Sequence, residues 1–147
     1  MTAAQTAARI RQNLADLRTN RERELQIIGA DLSALIKIRV QGSGENYLNT
    51  PFSPYTPGYA KFRQKTGRQT ARKVYDYTGR FWPSVYAEID KDGNTTYTII
   101  ITPHGQDNIN KALGAQKKDG NILRPSQEEL DLAEQANNVR VQKYLQI

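Results

Sequence analysis

The sequence predicts an α+β fold: a small antiparallel sheet set against a long N-terminal helix and a C-terminal helix, with an extended proline-rich arm between. Three observations carry this. Apolar residues recur at spacings of three and four through the first 37 residues, the period of a buried helix face. Residues 85–90 alternate between two faces ahead of an Asp92-Gly93 turn signal, and a β-prone run over 96–102 follows it. Ser126 and Glu129 form a capping-box pattern directly after Pro125 and before a helix-prone run.

Residues 1–40 form the helical segment, with Ile10, Leu14, Leu17, Leu25, Ile28, Leu32 and Leu35 along its stripe. The stripe falters at Arg21, and Thr19 with Glu22 reads as a second capping box. Two readings stay open, one long amphipathic helix or two helices parted near Thr19 and Asn20. Residues 41–82 form the arm and a basic loop. Pro51, Pro54 and Pro57 repeat every third residue, the period of polyproline II, with Phe52 and Tyr55 on the next edge. Such a segment loses little entropy on ordering and suits a strap laid over a surface. "YAKFRQK" reads as a short helix or turn ending at Gly67, "VYDYTG" as a short strand, and Thr78-Gly79 as the start of a helical turn through Phe81 and Trp82.

Residues 83–102 form the hairpin, with Val85, Ala87 and Ile89 on one face and the β-prone "TYTIIIT" returning. Residues 103–147 read as a mostly irregular loop with a short helix near 108–113, then a helix over 126–145. The whole is one domain of 147 residues. Its hydrophobic content of 37% is lean, which favours burial against neighbouring subunits.

Cysteine is absent, so disulfide and thiolate chemistry are excluded. The N-terminus lacks the apolar core of a secretory signal, and no apolar run reaches the roughly 18 residues of a membrane span. The expected setting is the cytosol or an assembly made there. No catalytic set emerges. The single histidine, His104, sits in a Pro-His-Gly turn without companions to ligate a metal. Gly42-Ser43-Gly44 lacks the lysine of a phosphate loop. Glu88, Asp90 and Asp92 alternate as the carboxylates of a metal-dependent nuclease would, but the same spacing describes a solvated strand face leading to a polar turn. The chain reads as a non-enzyme, with no cofactor and no metal.

Charge is the strongest feature. Lys61, Arg63, Lys65, Arg68, Arg72, Lys73 and Arg80 face Asp76 alone between Tyr59 and Phe81. Of 21 basic and 15 acidic residues, 14 of each remain elsewhere, so the whole net charge of +6 lies in this stretch. Such a run either solubilises a loop or contacts phosphates, in the second case without sequence readout. Nothing matches a helix-turn-helix, zinc finger or stacking motif.

The order "FSPYTPGYAK", a basic spacer, then "TGRFWPS" and a hairpin resembles the neck and tail-completion proteins of tailed bacteriophages, including the Mu-type virion morphogenesis group. The resemblance rests on Phe52, Pro54, Tyr55, Tyr59, Ala60, Lys61, Thr78, Gly79, Arg80, Phe81, Trp82 and Ser84, and covers roughly residues 35–102. Tyr75-Asp76-Tyr77 departs from the family's usual Leu-Thr, and the segment 103–147 matches only in layout. The resemblance implies a structural virion protein forming a six- or twelve-fold ring between the portal-connector and the tail, around the DNA channel. Phe52, Pro54, Tyr55, Pro57, Tyr59, Phe81 and Trp82 are then the expected subunit contacts. Lys61, Arg63, Lys65, Arg68, Arg72, Lys73 and Arg80 would face either DNA or an acidic patch on the next ring. The rival reading is a small, free, non-specific nucleic-acid-binding protein.

Overall fold

Thr2 opens the first helix, its hydroxyl accepting from the Gln5 amide while the Gln5 side chain accepts from the Thr2 amide. The computed structural model describes residues 1–77, 79–93 and 96–146. Helix α1 spans Ala3–Thr19 and helix α2 spans Arg21–Ile38. They part at Asn20, yet backbone hydrogen bonding runs through the junction, from Asn20 N to Asp16 O and from Glu24 N to Asn20 O, both 3.0 Å. The two-helix reading therefore holds, but the expected Thr19–Glu22 capping box does not form. Because the backbone stays near-helical, the Thr19 hydroxyl bonds back to the Ala15 carbonyl instead.

Helix α2 buries Gly29, Leu32 and Ile36. Gly29 is where the helix meets the sheet: a Cβ there would lie 2.3 Å from the Ala87 Cβ. One π-helical turn, Arg39–Ser43, follows and stops at Gly44. Gly44 takes φ +70°, and its amide reaches the Arg39 and Val40 carbonyls at 3.1 Å each. A side chain there would also meet the Lys73 carbonyl at 2.9 Å.

The chain then turns back over Asn46–Thr50, where Glu45 bridges Pro51 antiparallel, and runs on without helix or strand to Thr56. Pro57 begins helix α3, Pro57–Lys65, at a position where its missing N–H costs nothing. The proline-rich arm thus ends at Thr56, and its third proline belongs to a helix. Among the described residues of 74–79 the expected strand is not formed. Tyr75 and Tyr77 adopt φ of +49° and +46°, so the alternation of a pleat is broken. The Tyr75 carbonyl accepts instead from the Trp82 indole at 2.9 Å. Thr78 lies outside the described residues, as do Asn94 and Thr95 of the hairpin turn. The helical turn expected through Phe81 and Trp82 is present as α4, Phe81–Ser84.

Strands β1 (Val85–Asp92) and β2 (Thr96–Pro103) pair antiparallel from Val85 with Pro103 to Asp92 with Thr96. Val85, Ala87 and Ile89 are half-buried, while Tyr86, Glu88 and Asp90 are exposed, as their alternation predicts. The loop expected after the hairpin is mostly helix: α5 spans Gln106–Asp119, far beyond 108–113. Asp107 in its first turn and Lys117 and Lys118 in its last favour the helix dipole. Helix α6 spans Gln127–Leu145, and its Ser126–Glu129 capping box forms as predicted.

The core gathers Ile36, Val40, Phe52, Tyr75, Phe81, Trp82, Ala115, Ile122 and Leu123. Beside it, Arg39 and Glu129 form a buried ion pair at 2.7 Å. The Arg39 guanidinium also donates to the Glu45 and Arg124 carbonyls at 2.8 Å each, and Glu129 accepts from the Ser126 amide at 2.8 Å. Both charges are thereby matched, the condition under which such burial is tolerated. Among the described residues, no helix is long and apolar enough to cross a membrane.

Candidate functional site: a tyrosine-lined cleft in the folded arm

The stiff and basic stretch does not extend into solvent along its length. It folds around itself. The arm forms one side of a cleft, α3 a second, the 73–77 loop a third, and α5 the last. The cavity measures about 520 Å³, within the range of ligand and side-chain pockets. Tyr55, Tyr59, Tyr75 and Tyr77 line it, with Lys111 and Lys118 contributed by α5.

Arg63 organises one wall. Only 1% of it is exposed. Its guanidinium donates to both Asp76 carboxylate oxygens, at 2.8 and 3.3 Å, and to the Gln69 carbonyl at 2.8 Å. The same group lies 4.6 Å from the Tyr55 ring centroid, a cation–π distance. Burial is the largest single influence on Asp76 and opposes its charge, but Arg63 and Arg68 outweigh it and hold the carboxyl below its usual range.

Asp119, the last residue of α5, organises the other wall. It accepts from the Ser53 amide at 2.8 Å, from Lys73 Nζ at 3.0 Å and from the Tyr75 hydroxyl. Burial again opposes the charge, and these donors together keep the Asp119 carboxyl below its usual value. Burial, reinforced by Asp119, pushes the Tyr75 hydroxyl up, while burial and then Tyr59 push Tyr77 to about 12. The Tyr77 hydroxyl donates to the Lys111 carbonyl at 3.0 Å, and the Tyr55 oxygen accepts from the Val74 amide at 3.2 Å. These three rings therefore spend their hydroxyls within the fold and offer aromatic surface to the cleft.

The expected site residues divide accordingly. Phe52, Phe81 and Trp82 are buried in the chain's own core, so the expectation that they contact a neighbour is corrected: Phe52 packs edge-on to Tyr75 at 5.0 Å and Phe81 edge-on to Trp82 at 5.2 Å. Pro54, Tyr55 and Tyr59 line the cleft, and Pro57 is exposed at the start of α3. Tyr59 stacks on Phe62 at 5.9 Å, and Phe62 is 53% exposed. Phe62 is not among the expected subunit contacts, although its spacing of three from Tyr59 places the two on one helix face.

Among the cations, Arg63 and Lys73 are corrected from polyanion contacts to internal struts, because each is committed to a carboxylate of this chain. Arg68 is half committed, 3.3 Å from Asp76 and bonded to the Tyr77 carbonyl. Lys61, Lys65, Arg72 and Arg80 are exposed. Asp119, Lys111 and Lys118 are not among the expected site residues, because only the folding of 106–119 into α5 brings them to the cleft. His104 is exposed, and Glu88 and Asp90 stand on the outer strand face. No cluster of three His, Cys, Asp or Glu among the described residues is placed to hold a metal. No family model, no curated protein and no solved structure matches the chain.

Proposed function

We propose that this chain is a structural virion protein of the head-to-tail connector, assembled in the host cytoplasm as a six- or twelve-fold ring between portal-connector and tail. The reading rests on the motif resemblance, and one structural observation supports it above the others. None of the described residues of α1 is buried, although the helix is 17 residues long and carries Ile10 and Leu14 exposed. Ile38, Leu113, Leu132 and Val139 add further exposed aliphatics. Apolar surface left open on several elements is what a subunit presents to its neighbours. A head-to-tail contact between such subunits closes into a ring when its rotation permits.

Lys61, Lys65, Arg72 and Arg80 are the cations available for a channel wall or an acidic neighbour. They equally suit the rival, a free nucleic-acid-binding protein, whose contacts would be with phosphates and steeply salt-dependent. Sedimentation velocity and electron microscopy of the purified chain, alone and with connector proteins, separate the two. The ring reading expects a closed symmetrical oligomer. A persistent monomer that binds duplex DNA with a steep salt slope would replace it with the rival.

A further inference from the structure

Two exposed surfaces of this chain are complementary and lie on different elements. The first is the cleft with its cationic rim. Its lining includes the rings of Tyr55, Tyr75, Tyr77 and the exposed Tyr59, on which the exposed Phe62 stacks, and Lys111 and Lys118 stand on the α5 side. These two lysines make no ion pair among the described residues. The second is the outer face of α6. Glu128, Leu132, Gln135 and Val139 recur at spacings of four, three and four, so they share one stripe, with Asp131 at its edge. All five are exposed, Leu132 by 46% and Val139 by 70%. The opposite side of the helix buries Glu129 and Ala133. From Gln127 to Val139 the helix carries no basic residue, so this face is acidic and aliphatic where the cleft is basic and aromatic.

We infer that the α6 face of one copy docks on the tyrosine cleft of a second copy, with Leu132 entering the cleft and Glu128 and Asp131 meeting Lys111 and Lys118. The partner is a second copy because both halves of the match are on this chain. Charges arranged this way set orientation and register more than raw affinity, while the aliphatic insertion into an aromatic pocket supplies the desolvated centre. The contact is heterologous, since each copy uses a different surface, and it propagates in one direction around an assembly. The inference rests on the ring reading, for which it supplies the interface.

Charge reversal tests it. One variant carries Glu128→Lys and Asp131→Lys, and the other carries Lys111→Glu and Lys118→Glu. Each alone presents like charge on both faces, so each is expected to lose the oligomer and sediment as a monomer. Mixed in equal amounts, the two variants have complementary faces throughout and are expected to recover the oligomer as an alternating assembly, a recovery misfolded chains would not produce. Cysteine-free wild type adds a direct readout: Leu132→Cys mixed with Lys118→Cys is expected to give an oxidised heterodimer. Lys91→Cys, on the hairpin, replaces Lys118→Cys as control and is expected to give none. Oligomers that survive both charge reversals, or a mixture that stays monomeric, would overturn the inference; in the first case the ring reading stands. Recovery of open chains that never close would leave the interface standing and overturn the ring. A wild type that is monomeric and forms no cross-link would overturn both.

Discussion

Arg63 and Asp76 clamp the two ends of the basic stretch together across 13 residues, with their closest atoms 2.8 Å apart. The guanidinium is buried and the carboxylate is partly so, and Tyr55 covers the arginine from the cleft side. The clamp holds helix α3 against the 73–77 loop, and two walls of the cleft depend on it. Arg63→Ala leaves Asp76 with only Arg68 and opens the space under Tyr55. A loss of about 3 kcal/mol in stability is expected, read as a lower midpoint in urea. Arg63→Lys is expected to restore only part of it, because an ammonium lacks the fork that reaches both carboxylate oxygens and Gln69. A change within about 0.5 kcal/mol for the alanine variant would show the pair to be dispensable.

The second prediction separates structural from available cations. Replacing Lys61, Lys65, Arg72 and Arg80 together by Gln is expected to leave the unfolding midpoint almost unchanged, since all four are exposed. Any affinity for duplex DNA should fall, and the slope of log affinity against log salt should shrink by about 0.9 for each phosphate that is no longer neutralised. An unchanged slope would assign these charges to solubility alone. Including Arg63 or Lys73 in the set would confound the result with unfolding.

Gly29→Ala tests the closeness of α2 and β1. The added methyl would fall 2.3 Å from the Ala87 Cβ and 3.3 Å from the Ile99 Cγ2, so helix and strand must separate. A destabilisation of about 1–3 kcal/mol is expected despite alanine's better helix propensity. A more stable variant would mean that the sheet yields freely.

The acid limb of stability offers a fourth test. Asp119 and Asp76 both titrate below the ordinary 3.8 in the folded chain. A depressed folded value contributes stability above the unfolded pKa, and that contribution is lost as pH falls through the folded one. Stability should therefore drop from about pH 4 downward, and Asp119→Asn should flatten this limb while lowering stability at neutral pH. An identical pH profile in the variant would remove Asp119 from the account.

Much of the scaffold was legible because its signals are local. The periodicity of residues 3–37, the Ser126–Glu129 box, and the Asp92-Gly93 turn between an alternating and a β-prone run each specify an element without distant partners. Helix α5 was hidden by Gly114 and by a sequence with few apolar residues to mark a face. The 74–79 segment misled because Val-Tyr-Asp-Tyr favours a strand, whereas tertiary packing holds both tyrosines at positive φ. The charges misled for a further reason. Asp76 and Asp119 stand 13 and 46 residues from the arginine and lysine they neutralise, and sequence counting cannot see pairs made by folding. The aromatic–cationic character of the site was visible in the arm, but its second wall was not.

Helix α1 gives the molecule an uneven distribution of local stability. It rests on the remainder partly through Asn13, whose side chain donates to the Gln146 carbonyl at 3.0 Å, and it shields no buried side chain of its own. Its amides should exchange with deuterium through detachment of that helix alone, while those of α2 and β2 wait for global opening. The two classes of protection would mark a rigid body carrying one loosely latched helix, and the latch would tighten wherever a neighbouring surface covers Ile10 and Leu14.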